Sequence, residues 1–184
     1  DQLNQTEIMI SEELGHLKNI VNRFGEFSKL PNIQLVEQNL ATFTEHSIKV
    51  LAATYEGVNL RLGNELNGAD LNIKFDATLM RQVFANIIKN GVEANPHRLI
   101  EFSFQLSRVA NGIEIGISND GVPIPVELEN RIFDPYISGK SGKDNMGLGL
   151  AIVKKIIFEH GGEISYSNRN GRPHFSIFLG RQII

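Results

Sequence analysis

The sequence predicts an α+β fold: a two-layer sandwich of sheet and helices, preceded by a long N-terminal helix. Helical and hairpin patterns are mixed along the chain after residue 31, which favours a sandwich over a doubly wound sheet. Within the first 30 residues, a set of apolar side chains recurs at helical spacing. A length of 184 residues suits one domain of ordinary size with a short appendage.

The N-terminal helix is predicted from one apolar seam. Its members step four and three residues at a time and are Ile10, Leu14, Leu17, Val21 and Phe24. Pro31 ends the helix. Two heptads do not distinguish a helix packed on its own domain from a helix in a dimer interface, so both interpretations stay open.

Strands and helices then follow in order. Short strands are predicted at 33–37, 58–63 and 71–75, with a helix at 42–55, and Asp76 is the predicted N-cap of a helix that runs to about residue 93. Alternating residues predict one hairpin that turns at 111–112 and another, formed by 163–168 and 174–179, that turns at 170–171. A short helix at 126–132 and a longer one at 148–160 lie between the hairpins, and two glycines end the longer one.

Composition excludes several classes of protein. Hydrophobic residues make up 41% and charged residues 21%, which is enough apolar surface for a folded core. The sequence has no apolar run near the roughly 18 residues of a membrane-spanning helix. It has no cysteine, which excludes disulfides, cysteine-bound zinc and thiol nucleophiles. A net charge of −3 provides no overall basic surface for nucleic acid, so a bound anion requires a local arrangement of donors.

The helix after Asp76 contains residues that disfavour a helix interior. Asn86, Asn90 and Gly91 each cost about 0.5 to 1 kcal/mol there relative to Ala. Asn86 and Asn90 stand one turn apart and share a polar face with Glu93. The residues alone leave two interpretations open, a solvated face and a polar binding site.

Two later segments also have the residues of a binding site. The run NDGVPIP at 119–125 follows an apolar strand; it is either a strand-ending turn or a place where a flat ring meets the backbone beside a side-chain carbonyl. The run KSGKDNMGLGL at 140–150 is a polar loop that leads into a helix N-terminus, where free N–H groups favour an anion. This loop lacks the glycines of the P-loop and of the dinucleotide fingerprint.

From 31 to 179 the chain resembles the catalytic ATP-binding domain of sensor histidine kinases, the Bergerat (GHKL) fold shared with DNA gyrase B, MutL and Hsp90. Four motifs occur in the order of that family: the N box RQVFANIIKNG at 81–91, the G1 box NDGVPI at 119–124, the F box RIFDPY at 131–136 and the G2 box GLGLAIV at 147–153. The run EHGGEI at 159–164 closes the last helix. The resemblance implies a mixed sheet with helices on one face, and a division of the chain at 1–30 and 31–184.

The resemblance also implies a site for ATP and Mg²⁺. Asn90 is the implied Mg²⁺ ligand, which suits a cation that prefers oxygen and uses few protein ligands. Asn86 is implied near the phosphates, and the segment 138–146 corresponds to a lid over ATP. The implied ATP-binding residues are Asn86, Lys89, Asn90, Asn119, Asp120, Gly121, Pro123, Ile124, Tyr136, Lys140, Lys143, Gly147, Leu148, Gly149 and Leu150.

Some of these positions depart from the family pattern. Asn119 stands where the family usually has an Asp that accepts a hydrogen bond from the adenine amino group. The spacing to Gly121 and Pro123 favours Asn119 over Asp120 for this role, and a neutral amide predicts a weaker contact than a carboxylate. Phe133 and Tyr136 are implied anchors of the lid, although Phe133 is equally interpreted as a core aromatic.

The residues expected to act on the phosphate are also informative. Asn86 occupies the position of the Glu that acts as general base in ATP-hydrolysing relatives, and an amide cannot take a proton from water. Glu93 is interpreted as a solvated carboxylate. None of the five histidines is followed by the acid that marks a phosphoacceptor, His16 included. The run at 20–31 resembles the second helix of the dimerisation hairpin in nitrogen-regulation-type sensor kinases, so we expect the acceptor helix to be absent from this chain.

The predicted function is transfer of the γ-phosphate of ATP to a histidine on the dimerisation helix, for relay to a response regulator. The predicted partners are a second copy, bound through the N-terminal helix of the full-length protein, and a response regulator receiver domain, with no nucleic acid. We expect a cytoplasmic domain, and membrane anchoring of the parent protein is left open. Two alternatives remain, a nucleotide-gated interaction module without catalysis and a protein-serine kinase of the anti-sigma type.

Overall fold

A computed structural model describes residues 32–63, 71–137 and 147–180, together with eight positions between 7 and 25. These eight are all helical and exposed: Glu7, Ile10, Ser11, Leu14, Gly15, Lys18, Val21 and Gly25. Three of the five seam residues are among them, while His16, Leu17 and Phe24 lie outside the described residues. The helical prediction therefore agrees with every described position of that segment.

Eleven elements follow within the described ranges. They are β1 (Val36–Asn39), α1 (Leu40–Thr54), β2 (Val58–Leu62), β3 (Asn72–Phe75), α2 (Ala77–Ala94), β4 (Ile100–Val109), β5 (Gly112–Asn119), α3 (Val126–Glu129), α4 (Gly149–Glu159), β6 (Glu163–Arg169) and β7 (Arg172–Gly180). Each corresponds to a predicted element. The bounds shift by a few residues, as helix and strand ends do.

Two of the shifts have a local physical reason. The Asn39 Oδ1 accepts the Thr42 N–H at 3.0 Å and so caps α1, which begins at Leu40. The first strand accordingly ends at Asn39. The helix predicted at 126–132 is only one turn long, because the chain continues in three-residue turns such as the bond from Arg131 N–H to the Leu128 carbonyl at 2.8 Å.

The strands form a mixed sheet of five and a separate pair. In the larger sheet the order is β2-β4-β5-β7-β6, with β2 parallel to β4 and the other neighbours antiparallel. The separate pair joins β1 to β3 with Val36 opposite Phe75. The predicted α+β class with a mixed sheet is confirmed, whereas the small second sheet depends on a pairing across 39 residues that no local pattern shows.

The helices and one face of the larger sheet enclose a single apolar core. Along β4, Phe102, Phe104 and Leu106 are buried, and the alternate Ser103 and Gln105 point to the other face. The apolar faces of α1, α2 and α4 supply the opposite layer, through Phe43, Leu51, Met80, Phe84, Ile88, Val153 and Ile157 among others. The result is the predicted two-layer sandwich.

Gly91 allows α2 to lie close to this sheet. A Cβ built on Gly91 would stand 2.6 Å from Cζ of the buried Phe102. Because a real Cβ does not approach so closely, only glycine fits at this point of the helix. Close packing of α2 on the sheet thus offsets the helix-propensity cost of Gly91.

Candidate nucleotide-binding site

The polar face of α2 meets the N-terminus of α4 at Gly149. A Cβ built on Gly149 would lie 3.7 Å from Asn86 Oδ1 and 3.7 Å from both Oδ1 and Nδ2 of Asn90. The N-cap of α4 is Leu148, which provides no side-chain hydrogen bond to the first turn. The N box and the G2 box are therefore adjacent, and the N–H groups that begin α4 are left without a side-chain cap.

Asn86 is the clearest sign that this junction takes a ligand. Its Nδ2 is buried and has no hydrogen-bond partner among the described residues. A buried donor without a partner costs about 1 to 3 kcal/mol, so such groups are rare unless something else satisfies them. An amide beside an uncapped helix N-terminus suits the oxygens of a phosphate group.

Lys89 and Glu93 lie on α2 beside the two asparagines. The Lys89 Nζ is 3.6 Å from Glu93 Oε1, and both side chains are partly exposed. Burial, and then the negative charge of Glu93, raise the pKa of the Tyr55 phenol, which places Glu93 near the end of α1. Lys89 is thus a partly exposed cation that pairs with Glu93 on the same helix.

The G1 turn assigns different roles to Asn119 and Asp120. The Asp120 carboxylate accepts the Glu101 N–H at 2.9 Å through Oδ1 and pairs with Arg98 at 3.0 Å through Oδ2. Asn119 is buried, with 5% of its surface exposed, and its Oδ1 accepts the Gly121 N–H at 2.9 Å. Asp120 is thus engaged with the start of β4, whereas Asn119 is buried and bonded within the turn.

Two side chains that the sequence did not indicate hold this turn. Asn95 Oδ1 accepts the Val122 N–H at 3.0 Å, and its Nδ2 donates to the Gly91 carbonyl at 2.8 Å. The Tyr166 hydroxyl accepts the Ile124 N–H at 3.0 Å. The bonds to Val122 and Ile124 join residues that are far apart in the chain. The position of Asn95 at the end of the N-box helix was the only local feature that could have indicated either bond.

Gly121 sits tightly between two amides. A Cβ there would stand 2.5 Å from Asn95 Nδ2 and 2.8 Å from Asn119 Oδ1. A side chain at this position would displace one of the two asparagines. This glycine therefore keeps the turn against the end of α2.

A buried histidine joins the two helices of the junction. His160, the C-cap of α4, accepts the Asp76 N–H through Nε2 at 3.0 Å, and its Nδ1 lies 2.7 Å from the Ile156 carbonyl. Asp76 caps α2 by accepting the N–H groups of Thr78 and Leu79. Burial raises the pKa of the Asp76 carboxyl, but the N–H donors of Gln34, Leu79 and Thr78 and the nearby His160 outweigh that effect and lower it. His160 is a buried packing histidine with a defined partner.

The two ends of the predicted lid lie side by side. The Tyr136 N–H donates to the Gly147 carbonyl at 3.0 Å. Gly147 has φ of 63° and packs on the Ile137 peptide, whose oxygen would stand 2.5 Å from a Cβ. Tyr136 also has a positive φ of 66°, and its ring is exposed, so it joins the lid ends through its backbone. Lys140, Lys143 and the rest of 138–146 lie outside the described residues.

The remaining predicted residues differ in burial. Leu148 is buried, while Ile124, Leu150 and Phe133 are partly buried against the core. Pro123 is partly exposed in the G1 turn. A separate cavity of about 500 Å³, lined by residues such as Phe133, Lys154 and Phe158, shares none of the predicted ATP-binding residues and is not this site.

The described residues contain neither a His and carboxylate cluster for a metal ion nor a helix that could cross a membrane. No group of three or more His, Asp or Glu side chains within the described ranges is placed to hold a metal ion. None of the helices in the same ranges is long and apolar enough to cross a membrane.

The α+β sandwich and the junction between the N and G2 boxes are those of a nucleotide-binding protein. Residues 75–182 match the family model described as histidine kinase-, DNA gyrase B- and HSP90-like ATPase. This match covers more than half of the chain, so the chain belongs to that family and contains its ATP-binding domain. The predicted family is confirmed.

Individual relatives are sensor kinases. The chain is 25% identical to the sensory histidine kinase/phosphatase NtrB of Rhizobium leguminosarum bv. phaseoli, over 93% of this chain and 48% of that protein. It is 26% identical to the sensor histidine kinase ZraS of Escherichia coli K12, over 97% of this chain and 38% of that protein. The chain thus spans less than half the length of these two relatives.

A solved structure shows the same architecture. The histidine kinase ThkA, in complex with the response regulator protein TrrA, matches with a TM-score of 0.71 and 27% identity. The match covers 95% of this chain and 50% of that one.

Proposed function

We propose that this chain is the catalytic part of a sensor histidine kinase, which binds ATP·Mg²⁺ and transfers the γ-phosphoryl group to a histidine on a separate acceptor helix. The observation that carries the proposal is the junction at Gly149, where the two N-box asparagines stand 3.7 Å from a built Cβ at the start of α4. Such a junction offers amides and helix N–H groups to a triphosphate.

The residues at the junction fit a magnesium ion. Mg²⁺ is a hard cation that takes oxygen ligands and keeps several waters, so one or two amide oxygens with phosphate oxygens suffice. Asn90 would hold the ion, while the unpartnered Nδ2 of Asn86 would donate to a phosphate oxygen. When bound, the ion neutralises charge on the phosphate oxygens during transfer.

The chemistry at this position favours transfer over hydrolysis. A general base for water must accept a proton, and the side chain of Asn86 is an amide. Glu93 is paired with Lys89 at 3.6 Å. The proposed role of the site is therefore to bind and orient the nucleotide, with the acceptor histidine as the nucleophile.

The N-terminal segment, residues 1–30, is proposed as the second helix of a dimerisation hairpin, and 31–184 as the catalytic domain. Ile10, Leu14 and Val21 are 55%, 61% and 67% exposed, although they occupy the apolar seam of that helix. Exposed apolar residues at helical spacing suit a partner helix. A second copy of the chain, and a response regulator such as the one bound by ThkA, are the proposed partners.

Binding tests the first half of the proposal. Calorimetric titration with ATP should show binding that requires Mg²⁺ and that falls at least about tenfold in Asn90→Ala. Asn168→Ala, at an exposed position of β6, is the matched control and should bind as the wild type does. Equal binding with and without Mg²⁺ would contradict the assignment of Asn90.

Transfer tests the second half. Labelled ATP is offered to the chain with and without a separately supplied acceptor helix that carries a histidine. Label that appears on the helix and is lost in acid identifies phosphohistidine. Acid-stable label would indicate a serine kinase, nucleotide binding without transfer would indicate an interaction module, and strong labelling of the chain alone would point to His16.

A further inference from the structure

Asn119 is held with its oxygen toward the backbone. The Gly121 N–H, 2.9 Å from Asn119 Oδ1, can only donate. Turning the amide over would set its NH₂ group against this N–H, and two donors repel. The other terminal atom of Asn119 is therefore the Nδ2 amino group, which is itself a donor.

The surroundings keep this orientation. Asn119 is 5% exposed and adjoins Gly121, which has no room for a Cβ between Asn119 and Asn95. The backbone on the far side of the turn is held by Asn95 at Val122 and by Tyr166 at Ile124, each at 3.0 Å. Because the turn is held at Val122 and Ile124, the polarity of the Asn119 side chain can determine which ligand it accepts.

Asp120 cannot exchange roles with Asn119. Its two oxygens are engaged by the Glu101 N–H and by Arg98 at 2.9 Å and 3.0 Å. A carboxylate at position 119 would present acceptors only, one to Gly121 and one to the ligand. The amide of Asn119 also accepts from Gly121, but it offers the ligand a donor, the Nδ2 group.

This polarity bears on the choice of nucleobase. Under the proposed function, residue 119 faces the group at position 6 of a purine. The amino group of adenine is a donor and matches an acceptor, whereas the carbonyl of guanine or hypoxanthine is an acceptor and matches Nδ2. The second lone pair of Oδ1 remains able to accept from an adenine amino group.

We propose that the site accepts 6-oxopurine nucleoside triphosphates, the class of GTP and ITP, as well as ATP. This inference rests on the proposed function, because it requires the nucleotide to occupy the junction at Gly149. The determinant is the Nδ2 of Asn119, whose partner Oδ1 is already bound to Gly121 at 2.9 Å.

The test compares three nucleotides on the wild type and on Asn119→Asp, each with Mg²⁺. ATP and ITP carry opposite groups at position 6, and purine riboside triphosphate carries none. For the wild type we expect dissociation constants for ATP and ITP within about threefold of each other. In Asn119→Asp the carboxylate repels the 6-oxo group, so the ratio of ITP to ATP dissociation constants should rise by about tenfold or more.

The comparison separates the effect of the contact between residue 119 and the purine from any effect of the substitution on folding. Asn119→Asp keeps an acceptor for Gly121, and the ratio of two nucleotides on one variant cancels a general loss of binding. Purine riboside triphosphate lacks only the 6-amino group of ATP, so the ratio of their dissociation constants measures the contribution of that group. Its absence should weaken binding more in Asn119→Asp than in the wild type.

The failures are distinguishable. A wild type that binds ATP but binds ITP more than about thirtyfold more weakly overturns this inference and leaves the proposed function standing. An unchanged ITP-to-ATP ratio in Asn119→Asp also overturns it. A wild type that binds none of the three nucleotides overturns the proposed function itself.

Discussion

Asn95 Oδ1 accepts the backbone N–H of Val122 at 3.0 Å, and this bond joins the end of α2 to the G1 turn. The Asn95 side chain also donates to the Gly91 carbonyl at 2.8 Å and is buried. One residue thus links the helix that carries Asn86 and Asn90 to the turn that carries Asn119. Asn95 therefore holds the G1 turn in position relative to α2.

Asn95→Ala removes a partner from two groups, the Gly91 carbonyl and the Val122 N–H. We expect the free energy of unfolding to fall by about 1 to 3 kcal/mol, measured by urea denaturation. The affinity for ATP should fall as well, because the G1 turn loses its support. Asn168→Ala, at an exposed strand position, is the control for both measurements. Unchanged affinity in a folded Asn95→Ala variant would show that the turn keeps its geometry alone.

Gly91→Ala should destabilise the protein, although alanine is the better helix former by about 1 kcal/mol. The new Cβ would stand 2.6 Å from Phe102 Cζ, so α2 must move or Phe102 must repack, at about 1 to 3 kcal/mol. Thermal unfolding measures the loss.

Phe102→Leu provides the partner variant for Gly91→Ala. It removes the ring that the new Cβ would meet, so Gly91→Ala should cost less in that background than in the wild type. An equal cost in both backgrounds would locate the strain elsewhere.

Gly149→Ala should spare the fold and weaken nucleotide binding. The new Cβ would make ordinary contacts of 3.7 Å with Asn86 and Asn90, so the helix has room for it. It would, however, occupy the space between the two asparagines and the start of α4. We expect an unchanged melting temperature and an affinity for ATP lower by about tenfold.

Gly15→Ala is the matched control for Gly149→Ala, since a Cβ at this helical position meets nothing within 4 Å. It should leave ATP affinity unaltered. Gly149→Ala with full affinity would argue that the phosphates bind away from this junction.

His174 should make stability depend on pH. Burial lowers the pKa of its imidazole from 6.5, Arg169 lowers it further, and Glu114 opposes both. The Nδ1 lies 2.7 Å from Ser118 Oγ, and Nε2 is buried without a partner among the described residues. The unfolded chain therefore takes up the proton more readily than the folded one.

The contribution of His174 is complete above pH about 6.5 and is lost as pH falls through the lower pKa of the folded state. Urea denaturation at pH 7.5 and 5.5 should show a decrease in unfolding free energy for the wild type. His174→Gln keeps a polar side chain without a titrating ring and should show a smaller decrease. An equal decrease in both proteins would assign the effect to other groups.

The elements of this fold were predictable because each depends on neighbouring residues. The alternation along β4 and β5, the spacing in α2 and the cap at Asp76 are local patterns, and all appear in the structure. The helix α1 begins two residues before its predicted start, because the Asn39 side chain caps it. The pairing of β1 with β3 had no local signal, since Val36 and Phe75 meet only after the chain folds.

The candidate site likewise has features that local sequence predicts and features that it does not. The N, G1 and G2 boxes were visible as residue types at given spacings, and the structure brings Asn86, Asn90 and Gly149 together. Asn95 and Tyr166 were not visible, because their partners at 122 and 124 are 27 and 42 residues away. Long-range hydrogen bonds carry no signature in local sequence.

The sequence by itself determined the family, the order of the elements and the residue types of the nucleotide site, since motif and periodicity are local properties. Only the tertiary structure decided which groups surround Asn119 and Asp120. Adjacent residues with similar side chains have different partners here because β4 and Arg98 engage the Asp120 carboxylate, while the buried N–H of Gly121 orients the Asn119 amide. That choice depends on strands and turns which meet in space.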